Sequence, residues 1–65
     1  MKEPDWEVLW NRADVDFIAT LAEYCGVDPY HPKISTLWSI AWDRGHSGGL
    51  SDVVYYFEEM AELIK

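Results

Sequence analysis

The sequence predicts a small all-α protein, a three- to four-helix bundle whose C-terminal half is a helical hairpin. Three observations point there. Apolar residues recur at three- and four-residue steps along most of the chain, prolines and glycines interrupt those stripes where a helix has to end, and no stretch alternates cleanly enough to suggest a pair of strands. A single domain over residues 1–65 is expected, because a chain this short holds one core at most and buries a smaller share of its surface than larger domains do.

The first helix is expected over residues 5–11, where Trp6, Leu9, Trp10 and Ala13 follow helical spacing. Pro4 suits a first helical turn, and Asp5 and Glu7 complement the positive end of the helix dipole. The apolar pattern continues through Phe17, Leu21 and Tyr24, so one long helix is the alternative. A break across residues 11–14 is preferred, since Asn11 and Asp14 are both good caps. The second helix, residues 14–25, sets Val15, Ile18, Leu21, Ala22 and Cys25 against a polar side of Asp16, Thr20 and Glu23. Gly26 suits the left-handed conformation that closes a helix. Pro29 and Pro32 then push Asp28 and His31 out of the helical region and block continuation.

The third helix is expected to begin with Pro32 as its first residue, with Ile34, Leu37, Trp38 and Ala41 as its stripe and Ser35, Ser39 and Asp43 on the polar face. Trp42 flanks that stripe beside Trp38, and Gly45 ends the helix. The fourth helix has Ser51 as its expected N-cap, Asp52 in its first turn, and Leu50 against Tyr55 as a hydrophobic staple. Val53, Phe57, Met60, Ala61 and Ile64 form its buried face, and Glu58, Glu59 and Glu62 lie away from it.

Composition narrows the classes of function. Twelve acidic residues against five basic ones give a formal charge of −7, which disfavours direct binding to phosphate backbones and to anionic membranes. Basic proteins, or the nucleic-acid channels of enzymes, fit that charge better. The start of the chain, Met1-Lys2-Glu3-Pro4-Asp5, lacks the apolar core of a signal peptide. No apolar run approaches the ~20 residues that span a bilayer, so a soluble cytoplasmic protein is expected. The single cysteine, Cys25, excludes an intramolecular disulfide and fits a reducing compartment. Four Trp, four Tyr and two Phe replace the missing staple with large contact areas. Either the core is unusually aromatic or some rings meet a partner, a second copy of the chain included.

Gly45-His46-Ser47-Gly48-Gly49 satisfies the G-x-S-x-G pattern that exposes a nucleophilic serine on a strand-to-helix turn in α/β-hydrolases. Here the pattern falls between two helices, no histidine follows Ser47, and the chain is too short for that fold, so no catalytic residue is expected. The structural reading has Gly45 capping one helix, Gly48 and Gly49 permitting the reversal, and His46 or Ser47 bonding exposed backbone at the helix ends. A loop on a rigid scaffold also displays side chains to a partner, which makes His46 and Ser47 candidate contact residues. Cys25, His31 and His46, with Asp28, match no standard metal-site spacing, so neither a metal nor a cofactor is expected.

Two further features bear on binding. Asp52, Glu58, Glu59 and Glu62 on the last helix, with Asp14, Asp16 and Glu23 on an earlier one, would form a negative strip if the two faces adjoin; the plainer reading is a solvated face that keeps the chain soluble. Trp38 and Trp42 lie one turn apart, and Tyr55 and Tyr56 straddle the stripe of the last helix. At least one of these rings is a candidate interface anchor, although an under-sized core would claim them equally well.

The run Leu37-Trp38-Ser39-Ile40-Ala41-Trp42-Asp43-Arg44-Gly45-His46-Ser47-Gly48-Gly49, followed by Leu50-Ser51-Asp52-Val53-Val54-Tyr55-Tyr56-Phe57, resembles small proteins of tailed bacteriophages. Those carry a similar L-A-W-x-x-G-H-S-x-G turn before an acidic, aromatic helix. The resemblance covers roughly the C-terminal half of the chain and implies a context, the host cell cytoplasm, and a class of action, binding a host or phage protein so as to inhibit or redirect it. The expectation is therefore a non-enzymatic accessory protein that contacts its partner through His46, Ser47, Trp42 and Tyr55, alone or as a homodimer. The competing expectation is an acidic nucleic-acid mimic, in which Asp52, Glu58, Glu59 and Glu62 compete for a basic channel.

Overall fold

Local capping decides where each helix starts in the computed structural model, which describes residues 3–65. Met1 and Lys2, part of the segment read above for a signal peptide, lie outside the described residues. The Asp5 carboxylate accepts the Val8 N–H at 3.3 Å and opens α1, Trp6–Trp10. Asp16 does the same for the N–H of Ala19 at 3.2 Å and opens α2, Phe17–Tyr24. The first two stripes are therefore separate helices, broken where the caps suggested. The second begins three residues later than expected, because Asp14 is held by Arg12 in an exposed ion pair at 3.1 Å and leaves the capping to Asp16. Val15 consequently lies in the connecting turn rather than on the helix. Pro4 also stands outside its helix, ahead of the cap.

α2 closes as Gly26 suggested. Gly26 has φ +79°, its N–H donates to the Glu23 carbonyl at 3.0 Å, and the Val27 N–H reaches back to Ala22 at 2.9 Å. This is the paired-bond termination in which a left-handed residue satisfies the last free carbonyls, and it buries Val27 against the core. The connection that follows is bonded from within. Asp28 accepts the Tyr30 N–H at 2.8 Å, and the His31 ring nitrogen Nδ1 accepts the Lys33 N–H at 3.0 Å. His31 thus has a capping role. Pro32 lies in this turn and not at the first helical position, since α3, Ile34–Gly45, has Lys33 as its N-cap.

A 3-10 turn over His46–Gly48 prolongs α3, and α4, Leu50–Ala61, follows after Gly49 alone. Ser51 does not cap α4, and Leu50 does not staple to Tyr55. Gly49, at φ +96° and ψ 177°, reverses the chain so abruptly that Leu50 is already the first helical residue, and the Gly49 carbonyl receives the N–H groups of Asp52 and Val53 at 3.2 and 3.3 Å. Only glycine adopts that backbone without strain.

α3 and α4 pack against each other most extensively, and α1 and α2 close over them. The core holds Trp6, Phe17, Leu21, Ala22, Cys25, Val27, Ile34, Leu37, Ala41, Val53, Val54, Phe57 and Ala61. Its aromatic members interlock edge to face: Trp6 meets Phe17 at 5.8 Å and Tyr24 at 5.1 Å, and its indole N–H is satisfied by Glu3 at 2.9 Å. Such pairs contribute about 0.5–1.5 kcal/mol each beyond the area they bury, which matters in a domain this small. The radius of gyration is 11.0 Å, close to the ~11 Å expected of a folded chain this long. Among the described residues no helix is long and apolar enough to cross a membrane.

Candidate functional site

Trp38 and Trp42 sit one turn apart on α3 and leave the core on the same side, because Leu37 and Ala41 beside them take the buried positions. Trp38 is half-buried and fixed by Phe17 at 5.6 Å and Phe57 at 6.4 Å. Trp42 is 40 % exposed. Trp10, at the end of α1, is 45 % exposed and lies across both, at 5.9 Å from Trp38 and 5.8 Å from Trp42 with ring planes 28° and 21° apart. The edge of Trp10 is pinned on Phe17 at 5.2 Å and 89°. His46, one turn beyond Trp42, stacks on that indole at 6.2 Å and 20°. The result is a ridge of Trp38, Trp10, Trp42 and His46, held by core aromatics on one side and open to solvent on the other.

A cleft borders each flank of this ridge. One, of about 320 Å³, is lined by Trp10, Trp38, Ser39, Trp42 and Asp43. The second, of about 240 Å³, has walls from Glu7, Trp10, Trp42, His46 and Leu50. Each cleft therefore combines indole rings with one carboxylate.

The residues singled out in the sequence separate in space. Trp42 and His46 share the ridge, and Ser47 is exposed on the neighbouring 3-10 turn. Neither His46 nor Ser47 supplies a side-chain cap to the helices it separates; His46 is engaged by ring stacking instead. The glycine pattern around Ser47 runs from helix through 3-10 turn to helix, with no strand before the serine. Tyr55 lies elsewhere. It is 56 % exposed on the side of α4 away from Val53, Phe57 and Ala61, it packs on Tyr56, and its hydroxyl donates to Glu59 at 2.8 Å.

The acidic residues of α4 divide in the same way. Asp52 sits beneath Gly48 and Glu59 is tied to Tyr55, whereas Glu62 pairs with Lys65 at 2.9 Å. Glu58 does not turn away from the core as expected. It follows the buried Val54 by four residues, so it lies one turn above it and is half-buried. With Tyr24, Cys25, Glu62 and Lys65 it lines a third cleft, of about 330 Å³. Burial there, with the Glu3 charge nearby, raises the Glu58 carboxyl above its ordinary value. Burial, reinforced by Glu58, pushes the Cys25 thiol up to about 11. A thiol so shifted is overwhelmingly protonated at neutral pH and a poor nucleophile. Among the described residues no three His, Cys, Asp or Glu side chains converge as a metal site would require.

Trp10 and Asp43 were not singled out in the sequence as contact residues. The signal for Trp10 was arithmetic: a single layer of short helices cannot cover Trp6, Trp10, Trp38 and Trp42 completely, which does not say which of them emerges.

A family model described as a family of unknown function, DUF8546, matches residues 8–65. The chain belongs to that family, and the match runs from within α1 to the C-terminus, taking in the whole ridge. No curated protein and no solved structure matches the chain.

Proposed function

We propose that this member of the family is a non-catalytic binding module, a phage accessory protein that engages a host or phage protein in the cytoplasm and inhibits or redirects it. The observation that carries this reading is the ridge of Trp10, Trp42 and His46. Large rings about half exposed, immobilised by stacking and bordered by clefts, are what protein interfaces use as anchors, because tryptophan removes much apolar area from water at little conformational cost. A monomer with no partner would gain more by burying them. The inert thiol of Cys25 and the helical setting of Ser47 also support a binding role over a catalytic one. The phage context rests on the resemblance of the C-terminal half.

Of the residues named from the sequence, Trp42 and His46 are retained as the contact centre, with Ser47 at its margin and Trp10 added. Tyr55 belongs to a separate surface.

The test is capture by the tagged chain from bacterial lysate at low and high salt, followed by affinity measurement with whatever protein is retained. Trp42→Ala is expected to weaken that affinity about 30-fold, the size of an interface hot spot. Tyr55→Ala is expected to leave it within about twofold. Equal losses in both variants, or no retained protein at either salt, would refute the assignment. Retention of nucleic-acid enzymes alone, released by salt and insensitive to Trp42→Ala, would instead favour an acidic mimic.

A further inference from the structure

We propose that the cleft lined by Trp10, Trp38, Ser39, Trp42 and Asp43 is an arginine-binding cleft, which takes a guanidinium from a basic segment of the partner protein. This deepens the binding-module reading and rests on it.

Three features of the cleft favour a cation. Its walls are three indoles: Trp38 and Trp42 have centroids 6.0 Å apart, and Trp10 lies within 6 Å of both. The negative face of an indole attracts a cation more strongly than any other side-chain ring. The carboxylate of Asp43 stands at the same cleft, exposed and uncommitted, since the two ion pairs among the described residues are Arg12–Asp14 and Glu62–Lys65. The hydroxyl of Ser39 adds an acceptor beside it. Across the ridge Glu7 lines the second cleft, so negative charge borders Trp10 and Trp42 on both flanks. The formal charge of −7 draws basic surfaces towards the chain before contact.

Two considerations select arginine over lysine. A guanidinium is planar and weakly hydrated, so it lies flat on an indole in an open cleft without surrendering much solvation. Its forked N–H groups then meet a carboxylate through two bonds at once, as Asp43 permits at the rim. A lysine ammonium, compact and strongly hydrated, would need a closed cage to gain as much. The walls are also set before binding, because Trp38 is wedged between Phe17 and Phe57 and Trp10 is pinned on Phe17. Little ordering cost is left to the encounter.

The chain carries its own internal control. Trp6 is buried with its indole N–H bonded to Glu3, so of the four tryptophans it alone stands apart from the cleft. Titrating the isotope-labelled protein with triarginine, trilysine and tricitrulline peptides, and following the four indole N–H resonances, reads the site directly. Triarginine is expected to shift the Trp10, Trp38 and Trp42 signals and leave Trp6 still. Trilysine should bind at least about threefold more weakly, and the uncharged citrulline peptide should have no effect. Asp43→Asn, an exposed change with no internal bond to break, is expected to weaken triarginine about fivefold or more.

Equal response to arginine and lysine, an unaltered response in Asp43→Asn, or stationary indole signals would overturn the assignment in favour of general attraction to an acidic surface. The failure of the broader reading looks different. If Trp42→Ala abolishes capture of a partner while triarginine leaves the indoles unmoved, the ridge is an interface and only the arginine assignment falls.

Discussion

Gly45→Ala is the substitution that tests the geometry of the hairpin most directly. Gly45 is buried at the end of α3 with φ −110°, a conformation open to any residue, so its glycine is not required by the backbone torsion. It is required by its neighbours. A Cβ there would lie 2.6 Å from the Val53 nitrogen, 2.7 Å from the Asp52 carbonyl carbon and 2.8 Å from the Val53 Cα. These are about 1 Å inside the separation at which such atoms rest. All three belong to the backbone of the first turn of α4, which the Gly49 carbonyl holds through the N–H groups of Asp52 and Val53. None can rotate away, so the helices must separate or the turn must distort.

Helix propensity favours alanine over glycine by at most about 1 kcal/mol, and less at a helix end. Overpacking costs about 1–3 kcal/mol, and contact with backbone belongs at the upper end of that range. The expected net loss is about 2 kcal/mol, which in a domain of this size lowers Tm by about 8–16 °C. Thermal and urea denaturation followed by far-UV circular dichroism would measure it. Gly48→Ala is the control, since the atoms nearest its Cβ belong to the Asp52 side chain, whose carboxylate can swing aside, and not to backbone. A Gly45→Ala protein as stable as the parent, or more stable, would mean that propensity wins and that α3 and α4 do not approach this closely.

Three other outcomes follow from the same geometry. Removing the α2 cap with Asp16→Ala should cost about 1 kcal/mol in urea denaturation, because the Ala19 N–H loses its 3.2 Å acceptor; an unchanged midpoint would show that Asp14 or water can replace it. The Cys25 thiol, shifted from 9.0 to about 11, should react with iodoacetamide at pH 8 about 100-fold more slowly in the native protein than in urea, and equal rates would contradict its burial. Glu58 titrates above its ordinary value in the fold, so its contribution to stability is complete below about pH 4.5 and is lost as pH rises through the raised folded value. Glu58→Gln should therefore raise Tm at pH 7 and give no gain at pH 4, and an equal gain at both would indicate a cause other than charge.

The cap misassignments follow one pattern. Asp14 and Ser51 are each good N-caps in isolation, yet Asp16 and Gly49 occupy those positions. In the first case Arg12 captured the competing carboxylate. In the second the chain reversed two residues early, because the close approach at Gly45 draws the start of α4 onto the end of α3. Each involves a choice between candidates two residues apart, which local chemistry leaves nearly balanced.

The sequence by itself determined the all-α class, the separation of the first two helices, the left-handed stop at Gly26 and most of the buried stripe, including Leu21, Leu37, Ala41, Val53 and Phe57. These depend on periodicity and on backbone groups that find partners within about four residues, so they are written locally. Tertiary packing decided which rings face solvent. Trp6 and Trp10 have the same spacing and the same helix, yet Trp6 is buried against Phe17 and Tyr24 whereas Trp10 emerges to stack on Trp42, 32 positions later. Only the crossing of α1 over α3 makes that contact. The cleft between Trp10 and Asp43 exists for the same reason: its walls come from two helices whose relative placement no local pattern records.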